Sequence, residues 1–147
     1  MNGISINATD GHLSVSLIGA DKDLDLNENE AMLASTIIEA LINEGVNSDR
    51  LDIVRKSNDY ATVVYHGCEW DSDLARFKFT ERAKWVSVPI PESKSEQLKH
   101  NPIFSAQKNK NQLLWKSKIS AIEDSIMLAK IASEYLFEVQ EKFPEYR

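Results

Sequence analysis

The stretch Leu74-Ala75-Arg76-Phe77-Lys78-Phe79-Thr80-Glu81-Arg82-Ala83-Lys84-Trp85-Val86-Ser87-Val88 is two alternating runs joined by a polar turn. Its apolar side chains (Phe77 and Phe79, then Val86 and Val88) recur every second residue, the period of a half-buried strand. A two-residue loop at Arg82-Ala83 predicts Phe79 opposite Val86 and Phe77 opposite Val88, which aligns the apolar faces. A three-residue loop would set Lys78 against Val86 and scramble both faces. The other face of the hairpin then carries Arg76, Lys78, Thr80, Trp85 and Ser87, two cations beside an indole. An antiparallel sheet with one packed face and one wet face is the expectation.

The same reasoning places the other elements. Ile4 to Leu17 reads as a hairpin, because Asp10-Gly11 supplies the positive φ angles of a type I′ turn. Folding there sets Ala8 opposite Leu13, Ile6 opposite Val15 and Ile4 opposite Leu17. A helix is expected from about Glu28 to Glu44, with Asn27 as N-cap, Glu30 reaching back and Gly45 ending it. Its stripe of Leu33, Ala34, Ile37, Ile38, Leu41 and Ile42 is wide enough for a sheet; its competing use is to pair with a second copy as a homodimer. Strands are expected at about 51–56, 60–66, 74–80 and 84–90, and another at about 113–119. A polar, lysine-rich stretch with a short helix near Ser93 to His100 precedes that last strand. The final helix opens at a capping box, Ser120-Ala121-Ile122-Glu123, and runs to about Phe143. Ile122, Ile126, Ala129, Leu136, Val139 and Phe143 trace its expected buried stripe, with Met127, Ala132 and Tyr135 widening it. The hairpin, the meander and two helices make an α+β fold, read as one domain over residues 1–147.

Bulk composition narrows the class. At 147 residues, 42% hydrophobic and 27% charged, the chain resembles an ordinary globular domain. No run approaches the roughly 18 apolar residues of a membrane span, so no membrane partner is expected. The start, MNGISINATDG, lacks the basic and apolar regions of a secretory signal. Cys68 is the only cysteine, which excludes an internal disulfide and a multi-cysteine zinc site. A cytoplasmic location is the expectation.

Catalytic patterns are weak. His66-Gly67-Cys68 brings an imidazole near a thiol, as a base and nucleophile would be. Nothing adjacent would orient them, and a small buried thiol beside a strand-end histidine explains them as well. Glu69, Asp71 and Asp73 offer oxygen ligands for a hard cation, but the glycine and glutamate of an EF-hand loop are missing. Charged turns are ordinary. A metal-dependent nuclease gathers carboxylates round its metal, whereas Arg76 and Lys78 follow one another on their strand with no acid between them. None of the five glycines forms part of GxxxxGKS/T or GxGxxG, and His12, His66 and His100 belong to three different elements. No catalytic residue, metal or cofactor is therefore expected.

Binding fits better. From Arg76 to Lys118 the chain carries ten Lys/Arg against three Asp/Glu, a local +7 inside a protein of net charge −6. Aromatic and amide side chains are mixed into that basic centre. Lysines neutralise phosphates and exposed aromatics stack bases, and single strands present accessible bases. The candidate nucleic-acid-binding residues are Arg76, Lys78, Lys84, Trp85, Lys108, Lys110 and Trp115, with Lys116 and Lys118 close by in sequence. Two plainer accounts compete: the outer face of an antiparallel sheet is normally polar, and the cations could pair with the chain's own acids, notably Asp21, Asp23, Asp25, Glu28 and Glu30.

The run Leu74 to Val88, followed by Phe104-Ser105-Ala106-Gln107-Lys108-Asn109-Lys110-Asn111-Gln112 and Trp115-Lys116, resembles a small module appended to some bacterial exonuclease-like proteins. The resemblance covers roughly Tyr60 to Ser120, about 40% of the chain. It implies a noncatalytic role near nucleic-acid metabolism; the acidic motifs of an exonuclease core are missing. The expectation is a noncatalytic binding module for single-stranded nucleic acid. The alternative is a protein–protein adaptor docking through the basic patch or the polar face of the first hairpin.

Overall fold

A computed structural model describes residues 4–9, 12–17, 26–55, 59–68, 70–104 and 114–146. The fold is α+β. A five-stranded antiparallel meander runs in sequence order through β3 (Leu51–Arg55), β4 (Ala61–His66), β5 (Asp71–Phe79), β6 (Lys84–Pro89) and β7 (Leu114–Lys118). Strands β1 (Ile4–Thr9) and β2 (His12–Leu17) pair in the expected register, Ala8 with Leu13, Ile6 with Val15 and Ile4 with Leu17. They form a separate two-stranded sheet instead of joining the meander. The Asp10-Gly11 turn expected between them lies outside the described residues.

The β5–β6 hairpin keeps its expected faces but slides by two residues. Phe77 pairs with Val86 and Phe79 with Lys84, because the two-residue loop is Glu81-Arg82, one position earlier than expected. Thr80 decides this. Its N–H donates to the Ala83 carbonyl at 2.8 Å, and its Oγ1 accepts the Ala83 N–H at 3.1 Å. A backbone bond and a side-chain bond thus close the turn at one pair. A shift of two preserves parity, so the apolar face survives the slip.

Helices α1 (Glu28–Asn43) and α3 (Ser125–Lys142) pack on one face of the meander, while α2 (Ser95–Lys99) lies in the connection before β7. Ala61, Val63, Tyr65, Ala75, Phe77, Val86 and Val88 line that inner face, meeting Leu33, Ile37 and Leu41 of α1 and Leu128, Ala132 and Leu136 of α3. Full burial of one such aliphatic or aromatic side chain contributes about 1.5–3 kcal/mol, which makes this layer the main source of stability. α1 lies against the 3₁₀ turn Ile122–Asp124 that precedes α3, and a Cβ on Gly45, just past the end of α1, would sit 3.8 Å from Phe137, far along α3. The two helices therefore run in the same direction.

The stripe of α3 differs from expectation: Ser125, Leu128, Ala129, Ile131, Ala132, Ser133 and Leu136 are buried, whereas Ile126 and Phe143 are exposed. The helix begins later than expected because Asp124, not Glu123, does the capping. Its Oδ2 accepts the N–H groups of Ser120 and Ala121, both at 3.0 Å. Those bonds hold the Asp124 carboxyl below its usual value.

Two local devices shape the sheet. The Asn27–Glu30 capping box forms as expected, with Glu30 N–H donating to Asn27 Oδ1 at 2.7 Å. It also reaches the sheet: Asn27 Nδ2 donates to the Phe79 carbonyl at 2.9 Å, and buried Glu30 accepts the Phe79 N–H at 3.2 Å. β4 starts only at Ala61, opposite Phe77, so Phe79 lies beyond its partner strand and α1 satisfies the orphan groups. The second device is a β-bulge. Val63 pairs with Ala75 but Val64 with Asp73, leaving Leu74 as the extra residue. Both Leu74 and Ala75 turn inward, and Asp73 and Arg76 consequently share the outer face.

Candidate nucleic-acid interface

The face away from the helices carries the chemistry. Register sets Thr62, Arg76, Ser87 and Lys116 in one row across β4–β7, and Lys78, Trp85 and Lys118 in the next across β5–β7. Trp85 thus has a lysine on each neighbouring strand, and Lys116 places its Nζ 4.7 Å from the indole centroid. Tyr60, just ahead of β4, meets Trp85 with ring centroids 6.0 Å apart and planes at 58°. Since β4 and β6 are about 9.6 Å apart, both rings lean over β5. The Arg76 guanidinium sits 5.2 Å from the Tyr60 ring, and Arg76 Nε donates to Asp73 at 3.0 Å. Only the bulge makes that ion pair possible, because residues three apart on a regular strand point to opposite faces.

Lys78, Lys116 and Lys118 are different. Among the described residues none of the three pairs with a carboxylate. Glu30, one acid the sequence offered as their partner, is committed to its capping box; Asp21, Asp23 and Asp25 lie outside the described residues. Lys116 and Lys118 are exposed, and Lys78 and Trp85 are half-buried. Exposure on this face is greatest at its β7 edge: Thr62, Val64 and Asp52 on the β3–β4 side are buried, as is Ser87 on β6.

The expected set is corrected in two places. Lys84 precedes Trp85 on the same strand and so faces the other way; its Nζ lies 5.2 Å from the Phe79 ring at the rim of the core. Trp115 pairs with Val88 on the inner face, packs against the core and meets Phe104 edge-on at 6.5 Å. Lys108 and Lys110 lie outside the described residues. Arg76, Lys78 and Trp85 are brought together, and Tyr60, Lys116 and Lys118 join them. Parity could have flagged Lys84, but which residues of β7 and which ring before β4 meet Trp85 depends on pairing between strands.

The opposite end of the same face is acidic and fully engaged. His66 Nδ1 lies 3.0 Å from Asp71 Oδ1, and its Nε2 lies 3.1 Å from Asp52 Oδ2. A neutral imidazole carries one N–H, so two carboxylates on its two nitrogens call for the imidazolium. Burial lowers the His66 pKa, but the hydrogen bonds and charges of Asp71 and Asp52 outweigh it and the net shift is upward. Asp52 Oδ1 also accepts the Ile53 N–H at 2.8 Å. With both nitrogens held, His66 has none left to act as a base toward Cys68, whose sulfur lies 4.0 Å from Arg50. Among the described residues no three His, Cys, Asp or Glu side chains are grouped to hold a metal; Glu69 is outside them.

Beside this clamp, Tyr146 fills an aromatic socket that sequence reading missed. It is fully buried, stacks on Trp70 at 4.4 Å and shares a 2.7 Å hydrogen bond with Ser72. A Cβ on Gly67 would lie 2.0 Å from its ring, so only glycine fits there. Burial raises the Tyr146 pKa.

Among the described residues no helix is long and apolar enough to cross a membrane. No protein-family model, curated protein or solved structure matches this chain, so its own geometry carries the functional argument.

Proposed function

We propose that this chain is a noncatalytic binding module that takes single-stranded nucleic acid on the outer sheet face along β5–β7. The observation that carries the reading is the Tyr60–Trp85 pair set among Lys78, Lys116 and Lys118, three lysines without a carboxylate partner among the described residues. A base that stacks on the indole must displace the Lys116 ammonium. An exposed cation–π contact is worth about 0.5–1 kcal/mol, whereas base–aromatic stacking is worth about 1–3 kcal/mol. The exchange favours the base and frees Lys116 for a phosphate. Stacking thereby couples to charge neutralisation, and affinity should fall steeply with salt.

The test is fluorescence anisotropy with labelled single-stranded DNA, single-stranded RNA and duplex DNA across a salt series. Single strands should bind at micromolar concentration or tighter at low salt, more tightly than duplex, and Trp85→Ala should weaken them. Equal binding of duplex and single strand, or none at low salt, would sink the reading. A protein–protein adaptor is the second reading, favoured by Ile126 and Met127, each about half exposed at the start of α3. An apolar-cored interface would respond little to salt, which separates the two.

A further inference from the structure

Resting on the single-strand reading, we infer that the platform holds at most about three nucleotides, laid across β7–β5 and not along β5. Its direction follows from the distribution of charge. Moving along β5 from Lys78, a ligand passes Arg76, already bonded to Asp73, and then meets Asp73 and Asp71 themselves. Asp52 stands beside them on β3, held by His66. A phosphate chain following β5 would leave the lysines and run into those carboxylates. Crossing the strands instead keeps it over Lys118 and Lys116 on β7, then Trp85 on β6 and Lys78 on β5.

Its length follows from the spacing. Two inter-strand steps span about 10 Å, and a single strand advances at least about 3.4 Å per nucleotide, so at most about three nucleotides fill the track. The two rings are 6.0 Å apart, wider than the spacing of stacked bases, so two bases resting on them must separate from each other. A duplex does this only by unstacking a base step, a cost that a single strand avoids. Three lysines without carboxylate partners among the described residues set the phosphate count at about three, which for a single strand gives a log–log salt slope of about −2.

The experiment uses the whole chain with labelled thymidylate oligomers (dimer, tetramer, octamer and hexadecamer) and the matching uridylates, each across a salt series. Affinity should climb from dimer to tetramer and then rise only about in proportion to the number of registers on the longer strands, with a shallower slope for the dimer and a slope of about −2 from the tetramer onward. Lys118→Ala, at an exposed position, should flatten that slope by about 0.7, while Lys84→Ala, facing the other way, should leave it unchanged. Parallel results for both sugars would mark a site that reads phosphates and base faces; a uridylate preference would add a 2′-hydroxyl contact within the same track. A slope that steepens with every added length would overturn the short transverse track while leaving single-strand binding intact. No binding of any oligomer at low salt would remove the single-strand reading and this inference together.

Discussion

The two ends of the outer face use the same residue classes to opposite effect. At the β3–β5 end, Asp52, His66 and Asp71 satisfy one another, and Asp73 takes Arg76. At the β5–β7 end, Lys78 and Lys118 flank Trp85 without a carboxylate partner among the described residues. One end is an interior arrangement brought to the surface; the other is the end where the proposed function places a ligand. Charge type does not separate the two ends, whereas completeness of partnering among the described residues does. Asp52 is buried and paired, while Lys118 is exposed and without a carboxylate partner among the described residues.

The largest way to break the contrast is Asp52→Ala. It strips a partner from the imidazolium and from the Ile53 N–H at once. One-third exposure of His66 lets water recover part of the loss, so urea denaturation should register about 2–3 kcal/mol of destabilisation, below the 3–5 of a fully buried pair. At the open end, Trp85→Ala should cost about 1–3 kcal/mol of single-strand affinity by anisotropy, with little change in the salt slope. A large loss of fold stability with no loss of binding would reverse the roles assigned to the two ends.

Acidity sharpens the comparison. The His66 pKa is raised in the folded state, so the native chain holds a proton that the unfolded chain releases near pH 6.5. The clamp's contribution is complete below that value and is lost as pH rises through the raised folded pKa. The urea midpoint should therefore drop between mildly acidic and mildly alkaline buffer. His66→Gln should remove that component of the drop; an unchanged pH profile in the variant would refute the imidazolium assignment. Smallest of all should be the effect of Lys118→Ala on stability, within about 0.5 kcal/mol. Its effect belongs to binding, where it should exceed that of Lys84→Ala.

Much of the architecture was legible locally. The alternation around Phe77 and Val86 placed two strands and their faces, and Asn27, Glu30 and Gly45 bracketed α1, all through contacts within a few residues. Even the slipped β5–β6 register kept its faces, because a shift of two cannot change parity. The candidate face was less legible. Arg76, Lys78 and Trp85 share one hairpin, so local pattern put them on one face; Trp115 and Lys84 were grouped with them by proximity in sequence, although pairing and parity turn both to the inner side.

What the chain determined by itself were features with short-range causes: strand faces, the α1 cap, the basic centre and the α+β class. Tertiary structure decided what depends on pairing between distant segments. The bulge at Leu74 turned Asp73 toward Arg76, β7 delivered Lys116 and Lys118 to Trp85, and Gly67 received Tyr146 from the far end of the chain. A periodic pattern tells a side chain which way to point. Which neighbour it meets there depends on how separate strands align, and no local sequence encodes that alignment.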